Sequence, residues 1–342
     1  MRACNDWIFM ISVCVDAMGG DEKPEVVLQG IERALAQDQD LCVVVAGERE
    51  AIADFCATHE RTRALFTTEV IEMDEHPAQA VRDKKDSSIV RGCMAVKEGQ
   101  ADGFFSAGST GAIFAASTFT IGRIRGIKRP CIAGILPGRD GHQTIMLDLG
   151  ANADVRPDMI VQFAHMGIAF ARAALNKESL RIALLSNGTE DTKGSTAMQA
   201  FFAALQEAQA QFATSNAQFV GNCEGNDILT GDYDLIVTDG LTGNIALKTM
   251  EGTAKYIMHA LKRSTEASLR AKLGAGLLLP SFKAIATSLS GDKNGGAVLL
   301  GLKAPVLIGH GATSPEAVMN GTLAVVRCIR TDLCAKIAKD IS

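Results

Sequence analysis

Short apolar runs rich in β-branched residues alternate with longer helical patterns along most of this 342-residue chain. Strands that are linked through helices need crossover connections, and such crossovers build a mostly parallel sheet with helices on both faces. The pattern therefore predicts an α/β fold: a doubly wound, mostly parallel sheet in a Rossmann-like α/β/α sandwich. The predicted strands are residues 11–15, 41–46, 103–106, 132–136, 145–149, 182–185, 235–238 and 305–308.

Helical patterns fill the intervals between these strands, and no linker divides the chain. There is no Pro/Ser-rich stretch and no low-complexity tract. We therefore predict one α/β/α domain over residues 11–342, with a protruding helical pair at about residues 242–290 as its elaboration. Residues 1–10 are interpreted as an N-terminal extension. The predicted helices are residues 24–36, 48–58, 88–98, 112–122, 157–175 and 195–213.

Composition excludes several classes of protein. The formal net charge is -5, so the molecule as a whole does not attract a nucleic-acid backbone. Nine cysteines occur without a CxxC pair, and cysteines and histidines are both dispersed. We therefore expect reduced thiols, a cytoplasmic location and no metal site. No apolar run approaches the roughly 18 residues that a spanning helix needs.

Glycine-containing polar turns follow five of the predicted strands. Glycines let backbone N–H groups point at a ligand, and helix N-termini add partial positive charge. In a parallel sheet all five turns would meet at one edge, at the carboxyl ends of the strands, where open α/β folds bind ligands. The sequence therefore predicts an anion pocket, with phosphate as the favoured ligand. The turns are residues 16–21, 107–111, 148–152, 186–191 and 238–244.

The motifs of several common mechanisms are absent. The chain has no Gly-Lys-Ser or Gly-Lys-Thr P-loop, no GxSxG nucleophile, no HExxH helix and no GxGxxG after the first strand. A direct displacement needs none of them, because phosphate is a competent nucleophile and a thioester is an activated acyl donor. The protein then has to hold the two reactants together and stabilise the oxyanion. We therefore expect no cofactor.

Taken in order, the motifs resemble those of the phosphate acyltransferases of phospholipid synthesis, the PlsX family. The resemblance runs from about residue 11 into the final helix, and its most specific segments are DAMGGD at 16–21 and TDGLTGN at 238–244. Ser109, Asp83 and Ile308 depart from the family pattern. Other matching segments are KKDSS at 84–88, SAGSTGA at 106–112, GRIRGI at 122–127, DLGAN at 148–152, GTED at 188–191, LKT at 247–249, GGA at 295–297 and HG at 310–311.

This resemblance implies a reaction and a set of partners. The family transfers a long-chain acyl group from acyl carrier protein (ACP) to inorganic phosphate, giving acyl phosphate and free ACP. The resemblance also implies a homodimer. No cofactor is expected, and we predict a cytoplasmic protein that is peripherally associated with an anionic membrane surface, the inner face of the cell membrane. A membrane glycerol-3-phosphate acyltransferase would take the product, and no nucleic acid is expected as a partner.

Candidate phosphate- and substrate-binding residues lie in and near the turns. Lys84 would offer charge to phosphate, and Ser88 is predicted to cap the helix that points at it; a solvated loop with a serine cap is the alternative. The complete set of candidates is Asp16, Gly19, Gly20, Lys84, Ser88, Gly108, Ser109, Thr110, Gly111, Asn152, Asn187, Glu190 and Lys193.

Four further residues are candidate catalytic groups. Asn244 and Lys248 lie one helical turn apart and so share a face of the predicted helix. A lysine near a helix N-terminus opposes the helix dipole, so we do not expect Lys248 to be there for helix stability. Asp239 would orient Lys248 or cap the helix. His310 would donate a proton to the thioester carbonyl or to the departing thiolate, or serve as a structural hydrogen-bonding residue.

Other functions stay open at this point. A phosphotransacetylase-like enzyme that uses a short-chain coenzyme A thioester would share the fold and the attack. A metal- and NAD-dependent decarboxylating dehydrogenase of the isocitrate dehydrogenase type has a related architecture, but its aspartate cluster and nicotinamide site are not recognisable here. A non-enzymatic membrane scaffold would leave the five polar turns without a purpose.

An apolar segment interrupts the long helix that is predicted to run from residue 242 toward 271. Between residues 262 and 283 there are five basic residues and one acidic residue, a local charge of +4 around an apolar tip. Such a segment is typical of binding to anionic lipid, and packing against a partner subunit is the alternative. The predicted membrane contacts are Leu273, Leu277, Leu278 and Leu279; the helix stripe predicted as core or dimer seam is Met250, Ala254, Ile257, Met258 and Leu261.

Vesicle flotation tests the membrane interpretation. The wild-type protein should float with anionic vesicles, and Leu278→Glu should not, because a carboxylate at the tip is repelled by the lipid surface. Neutral vesicles serve as the control. A Leu278→Glu protein that still floats, or a wild-type protein that never does, would contradict the interpretation, and a monomeric variant would favour subunit packing.

Overall fold

The computed structural model describes residues 10–265, 278 and 295–341. Within these residues the strands are β1 (Ile11–Asp16), β2 (Leu41–Glu48), β3 (Thr62–Thr67), β4 (Gly103–Ser106), β5 (Cys131–Pro137), β6 (Gln143–Leu147), β7 (Leu180–Leu185), β8 (Ala217–Cys223), β9 (Leu235–Val237), β10 (Ala297–Leu300) and β11 (Val306–Ile308). The helices are α1 (Glu25–Gln37), α2 (Arg49–Thr58), α3 (Pro77–Asp83), α4 (Ser88–Lys97), α5 (Thr110–Thr120), α6 (Pro157–Leu175), α7 (Thr196–Glu207), α8 (Gln209–Thr214), α9 (Gly240–Thr265), α10 (Pro315–Arg330) and α11 (Leu333–Ile341).

The described strands form one 11-stranded sheet in the order β3-β2-β1-β4-β11-β10-β5-β6-β9-β7-β8. All eight predicted strands are confirmed, with boundaries that shift by two residues at most. The sequence analysis missed β3, β8 and β10. The strands β3 and β8 are the two edges of the sheet and are only partly buried, so they lack the continuous apolar run of a central strand.

The sheet changes direction near its middle. Most pairings are parallel, as predicted, but β10 is antiparallel to both β11 and β5, and β5 is antiparallel to β6. A short connection at residues 138–142 joins β5 and β6 as a hairpin, where the sequence analysis assumed crossovers throughout. The expectation that all five polar turns lie at one edge is therefore wrong. Those after β1 and β4 leave the sheet in the direction opposite to those after β6, β7 and β9.

The register of the sheet nevertheless brings the two sets of strand ends together. The strands β1 and β4 end one residue beyond a common row of paired residues, at Asp16 and Ser106, whereas β6 and β9 end on that row. Because the two sets approach from opposite directions, their carboxyl ends face each other across the row. The row consists of Val15, Phe105, Leu307, Val298, Ala133, Leu147, Val237 and Leu184.

Helices cover both faces of the sheet, as a doubly wound fold requires. Alternate residues of β1 show the two-residue period: Val13 and Val15 join the apolar layer with α1, α6, α10 and α11, whereas Cys14 joins the layer with α4 and α5. Part of α9 packs against the second layer through Leu247 and Met250. The eight cysteines among the described residues are free thiols.

Two glycines of α9 provide a matched test of how this helix docks on the sheet. A Cβ on Gly243 would lie 1.9 Å from the carbonyl oxygen of Asp148, whereas one on Gly252 would meet nothing within 4 Å. Gly243→Ala should therefore destabilise the protein by about 1–3 kcal/mol through overpacking. Gly252→Ala should stabilise it by about 0.5–1 kcal/mol, because alanine favours helix. Denaturant unfolding of both variants checks this, and equal effects would contradict the docking.

Candidate active site

A cavity of about 310 Å³ lies where the two sets of strand ends meet. Its floor is β5 with the ends of β10 and β11, and one wall is the start of α5, at Gly108 and Thr110. The opposite wall is the face of α9 that carries Asn244 and Lys248, and His310 lines the cavity just beyond β11. The start of α5 thus borders the cavity, where the N–H groups of a first helical turn and the helix dipole favour an anion. Lys248 of α9 adds a cation from the facing wall.

A larger groove of about 650 Å³ lies elsewhere, between α3, α4 and α5. None of the five polar turns contributes to its lining, which includes Arg82 and Phe119. We therefore place the candidate site in the smaller cavity, where the strand-end turns converge.

The turn after β4 is held by a buried carboxylate. The hydroxyl of Ser106 donates to Asp16 Oδ2 at 2.6 Å and accepts from the backbone N–H of Gly108 at 3.0 Å. The N–H of Met18 donates to Asp16 Oδ1 at 2.9 Å. Burial raises the pKa of Asp16, although hydrogen bonds from Ser106 and Ser88 oppose that shift. Asp16 thus shapes the turn that presents Gly108 to the cavity.

The turn after β6 is built in the same way around Asp148. Its carboxylate accepts backbone hydrogen bonds from Ile132, Gly150, Ala151 and Asn152, at 2.8–3.2 Å, and a further one from the Asn152 side chain at 2.8 Å. Burial raises the pKa of Asp148 against the effect of these hydrogen bonds. The Asn152 amide also donates to the Pro130 carbonyl at 2.8 Å, so Asn152 ties the turn to the start of β5.

Asp239 fixes the beginning of α9. Its carboxylate accepts from the backbone N–H and from the hydroxyl of Thr242, both at 2.8 Å, which is the geometry of a helix N-cap. The N–H of Gly240 donates to the Asn152 carbonyl at 2.7 Å and joins α9 to the turn after β6. Asp239 therefore orients the helix that carries Lys248 by capping it at Thr242, whereas the lysine pairs with Glu251.

A charged trio lines the cavity. Lys248 Nζ lies 2.8 Å from Glu251 Oε2, and His310 Nε2 lies 3.3 Å from Glu251 Oε1. Glu251 is mostly buried, with 20% of its side chain exposed, whereas the Lys248 side chain is 57% exposed. One carboxylate thus holds a cation from α9 and an imidazole from the end of β11 on the same side of the cavity.

Glu251 is a site residue that was not predicted from the sequence. Its position carried a usable signal, because Asn244, Lys248 and Glu251 follow the i, i+4, i+7 spacing of one helix face. The apolar floor from β5 was also missed. Its residues look like an ordinary buried strand, and only the fold shows that one face of it is left open to the cavity.

Several sequence candidates lie beside the cavity. Gly19 and Gly20 pack against the turn after β4 and against Gly311. Gly111 packs against Pro77.

The helix caps differ from the prediction. Ser88 is buried and hydrogen-bonded to Asp16. The cap of α4 is its neighbour Ser87, whose hydroxyl accepts from the backbone N–H of Val90. The predicted cap of α4 was thus one residue too late. Ser109 stands at the N-cap position of α5, where its side chain makes no capping hydrogen bond.

Other candidates lie away from the cavity. The Lys84 ammonium donates to the Val70 carbonyl at 2.7 Å and to Glu75 at 2.5 Å, and this hydrogen bond lowers the pKa of Glu75. Glu190 and Lys193 form an exposed pair at 3.7 Å, and neither they nor Asn187 line the cavity.

The predicted membrane contacts fall mostly outside the described residues. Leu273, Leu277 and Leu279 are not described, and Leu278 has 52% of its surface exposed. Among residues 10–265, 278 and 295–341, the helices are too short or too polar to span a bilayer.

Solved structures place this architecture in a known class. A phosphotransacetylase from Streptococcus pyogenes superposes with a TM-score of 0.62 at 17% identity, covering 94% of this chain and 94% of that chain. A phosphotransacetylase from Staphylococcus aureus superposes with a TM-score of 0.57 at 17% identity, covering 93% and 94%. The fold is therefore that of the phosphotransacetylases.

Sequence comparison identifies the family. A family model described as "Fatty acid synthesis protein" matches residues 11–336. The phosphate acyltransferase of Bacillus pumilus is 40% identical over 96% of this chain and 97% of its own, and that of Lacticaseibacillus casei is 42% identical over 96% and 95%. This chain belongs to the phosphate acyltransferase family and is an acyltransferase.

Proposed function

We propose that this phosphate acyltransferase transfers a long-chain acyl group from the thioester of ACP to inorganic phosphate, producing acyl phosphate and free ACP. The observation that carries the proposal is the meeting of Lys248 with the glycine turn at Gly108 and Thr110 across one cavity. A cation and backbone N–H groups are the groups that bind a phosphate anion. The resemblance of the ordered motifs to the family supplies the donor.

The reaction needs one displacement. A phosphate oxygen attacks the thioester carbonyl carbon, a carbon–oxygen bond forms, and the oxyanion is stabilised by the N–H groups of the turn and by Lys248. Collapse of the tetrahedral intermediate breaks the carbon–sulfur bond and leaves a thiolate. His310 donates a proton to that thiolate, so that ACP departs as the free thiol.

Glu251 holds Lys248 and His310 in position. Because its carboxylate contacts both Lys248 and His310, it keeps the lysine and the imidazole on one side of the bound reactants.

The proposal extends to partners and location. We propose a homodimer that works at an anionic membrane surface and passes acyl phosphate to a membrane glycerol-3-phosphate acyltransferase. Support comes from the family resemblance and from the basic, apolar segment between residues 262 and 283. An acyl phosphate has a long apolar tail, so release at a lipid surface avoids exposing that tail to water.

A short-chain transferase that uses a coenzyme A thioester is the second candidate, because the phosphotransacetylases share the fold. Purified protein incubated with phosphate and either palmitoyl-ACP or acetyl-coenzyme A separates the two. We expect hydroxylamine-trappable acyl phosphate from palmitoyl-ACP, formed without added metal or nucleotide and not inhibited by EDTA. Preference for acetyl-coenzyme A would favour the second candidate, and metal dependence or hydride transfer to NAD would overturn both.

Substitutions on α9 test the charged trio. Lys248→Ala should lower kcat by on the order of 100-fold, because it removes a cation from the developing oxyanion. Glu251→Gln should lower kcat by about 10-fold, because Lys248 and His310 both lose the carboxylate that holds them on one side of the reactants. Lys255→Ala, on the same helix and outside the cavity lining, is the control. Unchanged turnover in a folded Lys248→Ala protein would remove Lys248 from the site.

A further inference from the structure

A second cavity opens from the candidate active site along α9. It has a volume of about 240 Å³, and its lining includes four residues that also line the first cavity: Leu136, Pro137, Leu247 and Glu251. The two cavities are therefore neighbours with a common wall. The charged trio stands at their junction, because Glu251 belongs to both.

Away from that junction, the lining of the second cavity is mainly apolar. Leu229 forms one side, and Met250, Ala254 and Ile257 form the other along α9, with the methyl-bearing side chains of Thr249 and Thr253 between them. The lysine and the histidine of the trio are absent from this lining. Ile257 has 50% of its surface exposed, so the far end is open.

We propose that this second cavity, the α9 groove, holds the acyl chain of the thioester while its carbonyl carbon lies beside Lys248. The inference rests on the proposed function, since it gives the chain of that same substrate a location. A reactive polar head with a saturated tail needs a polar pocket that continues into an apolar groove. The shared wall at Leu247 and Glu251 provides that continuity.

The length of the groove limits which acyl chains it can distinguish. From Leu247 to Ile257 is ten residues of helix, or about 15 Å. A saturated chain in extended form covers that distance with about twelve carbons, given a carbon–carbon bond of about 1.5 Å. Ala254 lies about 10 Å along the groove from Leu247. A hexanoyl chain would end before Ala254, whereas a palmitoyl chain would fill the groove to its open end.

Blocking the groove provides the kinetic test. In Ala254→Trp, the ratio of kcat/KM for palmitoyl-ACP to that for hexanoyl-ACP should fall at least tenfold, because the indole occupies the part of the groove that only the longer chain reaches. Leu229→Trp, which fills the groove from the opposite wall, should act in the same direction. Ala260→Trp adds the same side chain at an exposed position of α9 outside the groove and should leave the ratio unchanged.

A photochemical measurement separates this inference from the proposed function. A palmitoyl chain with a diazirine near its middle carbon should label peptides that contain Leu229, Met250 or Ala254. The groove proposal is wrong if the active wild-type enzyme is labelled only at other peptides. It is also wrong if neither Ala254→Trp nor Leu229→Trp changes the ratio of kcat/KM values. If the groove peptides are labelled but the protein transfers neither the palmitoyl nor the hexanoyl group to phosphate, the groove proposal is supported and the proposed acyl transfer is wrong. Gel filtration and thermal unfolding confirm that each variant is folded.

Discussion

The arrangement of the site depends on the reversal of strand direction at β10, β5 and β6. A uniformly parallel sheet would send every strand-end turn to one edge. Here two sets of strands run in opposite directions and are staggered, so that their carboxyl ends meet on one row of paired residues near the middle of the sheet. The cavity lies beside that row, with the start of α5 on one side and the Asn244–Lys248 face of α9 on the other. A one-residue slip between β5 and β6 would separate the two walls and turn the floor residues to the other face.

Buried carboxylates give the two walls their local shape. Asp16 and Asp148 lie at corresponding places, each immediately at or after the end of a strand, and each accepts hydrogen bonds from the turn that follows. Burial raises the pKa of both groups, because a charged carboxylate loses its hydration. The hydrogen bonds oppose that cost. The result is a pair of rigid turns that leave Gly108 and the Asn244–Lys248 face of α9 beside the cavity, while Asp16 and Asp148 themselves stay out of its lining.

Much of this architecture was predictable from the sequence. Except for β10, the central strands were recognised from their apolar runs, and the polar turns after β1, β4, β6, β7 and β9 were identified with them. Edge strands such as β3 were not recognised, because partial burial removes the continuous run. The direction of β6 could not be read from the strands themselves; it depends on the hairpin at residues 138–142. Asn244 and Lys248 were placed on one face from their spacing alone, and the same spacing extends to Glu251.

A structure determined with phosphate bound tests the central claim most directly. The anion should lie between the backbone N–H groups of Ser109 and Thr110, at the start of α5, and Lys248 Nζ, within hydrogen-bond distance of both. The meeting of the start of α5 with the Lys248 face of α9 is what creates the site. Phosphate bound instead beside Asn187 and Lys193, at the turn after β7, would contradict the account. It would show that the cavity on the common row is not where the nucleophile is held.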